Sequence, residues 1–482
     1  MGAGCALRYD GPVPTYHVEN FGCRATQADG AALERQFESR GLNAASAAQA
    51  DLVILNTCTV TSSADQDARA AIRRVQRQNP LAKIIVTGCY AQRAPQEIAE
   101  LPGVTAVIGN SHKHQLAEIV LEENTRSNAA FLPLSTLTEN RELGSENRVF
   151  ISDIFAHTEL LAAPVFESAD HESANHESAN HESGRTRPNL KVQDGCNNRC
   201  SFCIIPSVRG HSRSLPLAQV IREMNALVAA GYREVVISGI NLGRWGRDLD
   251  RGESGQPDFE HLLRAILSET DLEKLRISSV EPMDWTDALI ELVASSPRIA
   301  KHAHVPLQSG SDAVLRRMHR KYRPWHYREK IEKIRAAMPS AAIGADVMTG
   351  FPGESDAEFE ATRRLIEDLT FTYLHVFTYS ARPGTPAAAM PDQVPVHVAR
   401  ERNRILRELA AEKKLAFMRS FVGKPLAAIT LNVTRNNSGG ECTEALTDNY
   451  QKLFLRGRHE PNRWVTARIE AMEEGALVGS RN

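Results

Sequence analysis

Residues 196–203 read Cys196-Asn-Asn-Arg-Cys200-Ser-Phe-Cys203, and the rest of the chain is organised around them. Three thiolates at C-x3-C-x2-C spacing can hold three irons of a [4Fe–4S] cluster, which leaves the fourth iron without a protein ligand. An open coordination position is what lets a metal site do chemistry. A zinc site wants a fourth Cys or His at close spacing, and none follows nearby, so zinc stands as the alternative. A disulfide pairing leaves one cysteine over.

The other cysteines bear on the compartment. Eight in 482 residues are not a disulfide scaffold, and their grouping suits a reducing cytosol. Met1 to Pro14 lacks the charged-then-apolar order of a secretory signal, and no run approaches the ~20 apolar residues that span a bilayer. A cytoplasmic protein of two to four domains, with no membrane partner, is expected. The net charge of −2 gives no global pull on nucleic acid, so any such binding must use local patches.

Ahead of the motif, strand-like runs at 15–19, 51–55, 83–87 and 104–108 alternate with helical segments at 26–40, 64–78 and 95–100. That order predicts a parallel α/β sheet. Cys23, Cys58 and Cys89 each fall just past the end of one of the first three strands. In a parallel sheet those loops share the carboxyl edge, where ligands bind. The three thiols are therefore expected to converge on a second [4Fe–4S] cluster, again with one free iron. The helix over 65–78 carries Arg69, Arg73, Arg74 and Arg77 on roughly one face, read as a solvated face rather than a phosphate stripe. From 125 to 187 apolar periodicity fades, and His-Glu-Ser-Ala-Asn repeats at 171–175 and 176–180; a polar repeat that buries nothing reads as a flexible linker.

After the linker, strands are expected at 189–194, 233–238, 274–278, 301–305, 342–346 and 371–377. Helices at 216–230, 258–268, 285–294, 325–338 and 356–369 lie between them. Six βα units suit an open (β/α) barrel with its chemistry at the carboxyl ends of the strands. Gly239, Ser279, Glu281, Gln308 and Asp346 all sit at such ends. A helix over 394–420 leads to residues 421–482, whose alternation of apolar and polar residues predicts a small β-barrel.

The C-x3-C-x2-C run, with Phe202 before its last cysteine, resembles the radical S-adenosylmethionine (SAM) enzymes. In these the open iron chelates the amino and carboxylate groups of SAM. Asn20-Phe-Gly-Cys23, Asn56-Thr-Cys-Thr59 and Thr87-Gly-Cys-Tyr-Ala-Gln92 resemble the N-terminal domain of the methylthiotransferases, radical SAM enzymes with two clusters. Asn20-Phe21 stands where the most similar branch usually has a Thr-Leu or similar pair. Ser278-Ser-Val-Glu-Pro282, Pro306-Leu-Gln-Ser-Gly-Ser311 and Gly350-Phe-Pro-Gly-Glu354 resemble that family's SAM-contacting motifs. Phe421-Val-Gly-Lys424 and Glu444–Tyr450 resemble its terminal RNA-binding TRAM domain. The resemblance implies a flavodoxin-like domain over 14–124, a radical SAM core over 188–420 and a TRAM-like barrel over 421–482. It implies SAM contacts by Phe202, Gly239, Ser279, Glu281, Gln308 and Asp346, with Gly239 toward the methionine amino group. The motif detail at Cys58–Thr61 and Gly88–Gln92 points to the branch that methylthiolates C2 of N6-threonylcarbamoyladenosine at tRNA position 37. The alternatives are the N6-isopentenyladenosine branch, the branch acting on a ribosomal-protein aspartate, and a non-catalytic RNA-binding iron–sulfur redox sensor. The implied partners are tRNA and a flavodoxin- or ferredoxin-like electron donor. No catalytic acid or base is demanded, because the cofactor carries such chemistry. Ile205–Arg213 and Arg316–Arg328, which mix cations with Trp and Tyr, are expected to touch RNA.

Overall fold

Short runs of Val, Ile and Leu build the first sheet in a computed structural model that describes residues 13–121, 148–161, 187–250, 256–435, 441–473 and 475–481. The described residues divide into two units. The first comprises those of Met1–Ala163 together with Ile204–His211, and the second those of Pro164–Cys203 and Ser212–Asn482. Cys5 and the 171–183 repeat lie outside the described residues.

In the first unit the strands are β1 (Thr15–Asn20), β2 (Asn43–Ala44), β3 (Leu52–Thr57), β4 (Lys83–Gly88), β5 (Val104–Gly109) and β6 (Arg148–Phe150). They pair in the order β2-β1-β3-β4-β5-β6, all parallel. Every residue of β3 is buried, as a central parallel strand covered on both faces requires. Alternate residues feed opposite layers. Val53, Leu55 and Val86 meet Ala68, Ile72 and Val75 of the helix Ser62–Gln78. Ile54 and Ile85 meet Leu33 and Phe37 of the helix Arg24–Glu38. The edge strands β2 and β6 were not foreseen, since two or three residues are too few to leave a period-2 pattern. Strand β6 lies inside the stretch 125–187 read as linker, so part of that stretch belongs to the sheet.

The second unit holds β7 (Asn189–Asp194), β8 (Arg213–Ser214), β9 (Glu234–Gly239), β10 (Lys274–Ile277), β11 (His302–His304), β12 (Ala342–Thr349) and β13 (Tyr373–Thr378). Two sheets, β10-β9-β7-β8 and β11-β12-β13, are joined by parallel bridges Leu275–Ile299 and Ser279–His304. The run β7-β9-β10-β11-β12-β13 is thus an open parallel barrel, with helices between strands as expected. In these two sheets, among the described residues, β8 alone runs antiparallel, against β7.

The helix Val396–Arg419 leads to β14 (Pro425–Arg435), β15 (Glu441–Thr447), β16 (Lys452–Arg456), β17 (Trp464–Glu473) and β18 (Ala476–Arg481), which close into a barrel. Its core holds Ala428, Leu453, Leu455 and Ile469. The turn after β15 docks on the parallel barrel. The Arg276 guanidinium donates to the carbonyls of Asp448 at 3.1 Å and Thr447 at 3.4 Å, and pairs at 2.7 Å with the fully buried Glu234. The Tyr450 ring lies 4.7 Å from His302. The second half of the segment Glu444–Tyr450 therefore plugs a protein surface.

Candidate functional site

In the first unit the register does the work. β1, β3 and β4 are neighbours, and Asn20 pairs with Asn56, Asn56 with Thr87 and Thr57 with Gly88. Cys58 and Cys89 are the next residues along β3 and β4, and Cys23 follows β1 as N-cap of the first helix. Gly22 adopts φ +100°, and a Cβ there would sit 2.5 Å from Cys58 Cβ. That close approach brings the Cys23 turn onto Cys58, and only glycine permits it. Burial, and then the neighbouring Cys89 and Cys23, push the Cys58 thiol up to about 12. Cys23 and Cys89 both lie near enough to Cys58 to act on its thiol, and loading metal on these thiols would release protons. Asn110 Nδ2 lies 3.6 Å from Cys89 Sγ.

A buried charge cluster backs this triad. Asp29 takes Lys113 Nζ at 3.0 Å and Arg209 at 3.1 Å, with all three side chains under 5% exposed. Lys113 also donates to Asn56 Oδ1 at 3.1 Å, and Asn56 Nδ2 donates to Asn20 Oδ1 and the Thr26 carbonyl, each at 2.8 Å. Asn20 and Asn56 of the cysteine motifs thereby lock β1, β3 and the first helix together. Arg209 comes from the helix Ile205–Arg209, whose Val208 packs on Cys89. This corrects the expectation of RNA contact at Ile205–Arg213: Arg209 is spent inside the first unit, and Arg213 is buried. In the Ser62–Gln78 helix Arg69 pairs with Glu97 and Arg74 with Glu19, as a solvated, neutralised face would.

In the second unit, Cys196, Cys200 and Cys203 sit half-buried on the loop after β7. Donors point at their sulfurs. The Asn198 backbone N–H lies 3.4 Å and Asn241 Nδ2 3.6 Å from Cys196 Sγ, and Arg320 Nη1 lies 3.4 Å from Cys200 Sγ. Such N–H···S bonds are those that thiolates of a cluster take. Phe202 packs edge-on against Phe351 at 6.4 Å and joins Met318 and Met348 in an apolar cluster. Ser201 N and Oγ bond the carbonyls of Met318 at 3.1 Å and Arg317 at 2.7 Å, fixing the loop.

The residues expected to contact SAM lie in the same unit as this loop. Gly239 approaches Gln193 so closely that a Cβ would meet its Oε1 at 2.8 Å, and that oxygen accepts from Asn241 N at 2.6 Å. Glu281 pairs with Arg320. Ser279 Oγ lies 2.9 Å from His304 Nδ1. Asp346 is flanked by His304 and His375, each at 3.3 Å. Burial works to raise its pKa, and the bonds from His304 and His375 outweigh it, holding the carboxyl well below the usual carboxylate range. Gln308 adopts a left-handed φ of 62°. Its buried Oε1, with Ser238 Oγ and Asn241 Oδ1, has no hydrogen-bond partner among the described residues. Buried polar atoms are rarely left so, and a polar small molecule beside the loop, such as SAM, fits them.

Residues 190–366 match the Radical SAM superfamily and residues 15–109 match Uncharacterized protein family UPF0004. "Threonylcarbamoyladenosine tRNA methylthiotransferase MtaB" of Bacillus subtilis is 35% identical over 452 residues, 92% of this chain and 91% of that one. The protein of the same name in Rickettsia prowazekii is 35% identical over 461 residues, 95% of this chain and 96% of its own. The chain belongs to the radical SAM methylthiotransferases. Also similar, at 34% over 415 residues and 85% of both chains, is the "tRNA-2-methylthio-N(6)-dimethylallyladenosine synthase" of Novosphingobium aromaticivorans. The radical SAM methyltransferase TsrM of Kitasatospora setae shares the fold, with a TM-score of 0.54 at 16% identity over 78% of this chain and 77% of that one. Membership of this superfamily brings SAM and a [4Fe–4S] cluster as cofactors.

Around the methylthiotransferase site, sequence reasoning missed Arg320, His304, His375, Asp29 and Lys113. Arg320 was assigned to RNA contact with its neighbours. It is instead buried against Glu281, Cys200 and Tyr322, because the chain turns inward between the helices Asp312–Arg317 and Pro324–Ala337. Arg317 pairs with Glu358 at 2.9 Å, and Arg316 and Arg323 both meet Asp312. Trp325 is exposed. No helix is long and apolar enough to cross a membrane among the described residues.

Proposed function

We propose that this enzyme converts C2–H of N6-threonylcarbamoyladenosine at position 37 of tRNA into C2–SCH3. The observation that carries the reading is the match to MtaB proteins over more than nine-tenths of both chains. The dimethylallyladenosine synthases, matched over 85%, support N6-isopentenyladenosine as the second reading. The proposal includes two [4Fe–4S] clusters, one on Cys196, Cys200 and Cys203 and one on Cys23, Cys58 and Cys89. Convergence of the second triad on one sheet edge supports the count.

When bound, the clusters and SAM supply the radical that removes the C2 hydrogen, the sulfur and the methyl group. The protein's own residues position and exclude water. Arg320, Asn241 and the Asn198 N–H hold negative charge on the thiolates. Phe202 anchors their loop. Gly239, Ser279, Glu281, Gln308 and Asp346 are proposed to line the SAM site. Residues 14–124, together with β6, would form the auxiliary-cluster domain, the rest of 125–187 the connection, 188–420 the radical SAM core and 421–482 an RNA-binding tail. A flavodoxin- or ferredoxin-like donor supplies electrons. The cavity beside Cys200 is lined by Arg199, Arg244, His319 and Lys321 together with Glu281.

The test is mass spectrometry of tRNA nucleosides from cells with and without the gene. Loss of the 2-methylthio form of threonylcarbamoyladenosine alone is expected. Loss of only the isopentenyl counterpart would move the substrate to the second reading.

A further inference from the structure

Inside the parallel barrel, His304, Asp346 and His375 bring ligand-type atoms within 4.8 Å of one another. They come from the adjacent strands β11, β12 and β13, where Asp346 pairs directly with His375. One carboxylate oxygen, Asp346 Oδ1, lies 3.3 Å from His304 Nε2 and 3.3 Å from His375 Nδ1. The two histidines then differ. His304 has its second nitrogen on Ser279 and a side chain only 10% exposed. His375 is 59% exposed, and its Nε2 has no partner among the described residues.

The His375 ring packs on its strand neighbours yet stays largely exposed. Its neighbour Tyr373 lies 5.3 Å away and fills the space over Gly344, where a Cβ would come within 2.1 Å of the tyrosine ring. Phe377, the next residue on the same face of β13, is 39% exposed in a chain that buries most of its large apolar side chains. An exposed ring beside an oriented imidazole suits a nucleobase with a polar substituent. A carboxylate on one nitrogen orients a histidine and supports a proton on it. The other nitrogen accepts from a hydroxyl or N–H when the ring is neutral and donates to a carboxylate when it is charged.

We propose that His375, positioned by Asp346, is the specificity-determining residue that recognises the acidic N6 arm of the substrate adenine. This rests on the threonylcarbamoyl reading above. That arm carries a carboxylate, a hydroxyl and ureido N–H groups, whereas an isopentenyl arm is hydrocarbon alone. A site built to hydrogen-bond its substrate discriminates far more strongly than an apolar one, because its polar groups go unpaired with the wrong ligand.

The experiment compares reconstituted wild type, His375→Leu and His375→Gln on tRNA bearing either modified adenine, with SAM affinity measured in parallel. His375→Leu is expected to lower kcat/KM for the threonylcarbamoyl tRNA about 10- to 100-fold, chiefly through KM, the size of one lost hydrogen bond to a charged group. His375→Gln should restore part of it, and the SAM Kd should hold. Unchanged kcat/KM would overturn the proposal. So would a parallel loss of SAM affinity, which would make His375 a cofactor residue. So would a divalent metal bound in wild type beyond the cluster irons and lost in His375→Leu. Wild type that modifies only isopentenyl tRNA would overturn the substrate reading itself, an outcome visible before any variant is compared.

Discussion

Arg320 donates to Sγ of Cys200 across 3.4 Å while its other arm holds Glu281. A buried guanidinium thus ties a proposed cluster ligand to a residue proposed to face SAM. Removing it leaves Glu281 without its cation, and breaking one partner of a buried pair costs about 3–5 kcal/mol. Arg320→Gln is expected to lose stability toward the lower end of that range, since Glu281 is partly exposed. Loss of a cation beside the thiolates should also make the cluster harder to reduce. Denaturant titration and a redox titration followed by electron paramagnetic resonance check the two effects. A potential unchanged from wild type would show that Arg320 serves packing alone.

The triad of the first unit predicts an iron count. Each [4Fe–4S] cluster holds about four irons, so the anaerobically reconstituted chain should carry about eight. Cys58→Ala should halve that number, and so should Cys200→Ala. Because the Cys58 thiol is pushed up to about 12 by burial and its two neighbours, iron uptake at this triad should rise with pH as thiolate becomes available. About four irons in wild type would leave Cys23, Cys58 and Cys89 without a cluster.

The longer strands and helices of the two α/β regions were legible in the sequence, as was the place of Cys23, Cys58 and Cys89 just past strand ends. Parallel strands buried on both faces announce themselves as unbroken apolar runs, such as Leu52-Val-Ile-Leu55, and functional residues gather just past their ends. The residues missed are those whose role depends on contacts far along the chain. Asp29 and Lys113 are 84 residues apart, and nothing local marks either as buried. Arg320 looks like one cation in a basic stretch until the turn carrying it is seen to enter the site. His375 sits in an ordinary strand pattern, and only its register against Asp346 singles it out.

Asp29 makes a sharper demand on the first unit. Asp29→Asn keeps the shape of the side chain but removes the charge that Lys113 and Arg209 share. Two buried cations would then face each other. A loss of about 3–5 kcal/mol is expected, and the double variant Asp29→Asn/Lys113→Met should recover part of it. Chemical denaturation of the four proteins in a double-mutant cycle measures the coupling. Additive losses would mean that the three groups do not act as one cluster.

Asp346 connects the barrel site to pH. Its carboxyl sits below the usual carboxylate range because the bonds from His304 and His375 outweigh burial. Between that depressed value and the ordinary pKa of about 3.9, the unfolded chain binds a proton that the folded chain does not. The resulting stabilisation is fully present above about pH 5 and is lost progressively as pH falls through the folded value. Asp346→Asn should therefore be less stable than wild type at neutral pH and should lose less on acidification. Denaturant midpoints taken from about pH 7 down to about pH 3 should draw closer for the two proteins toward the acid end. Parallel curves separated by the same interval throughout would show that the Asp346 charge contributes nothing to folding, and that the histidines are placed by packing instead.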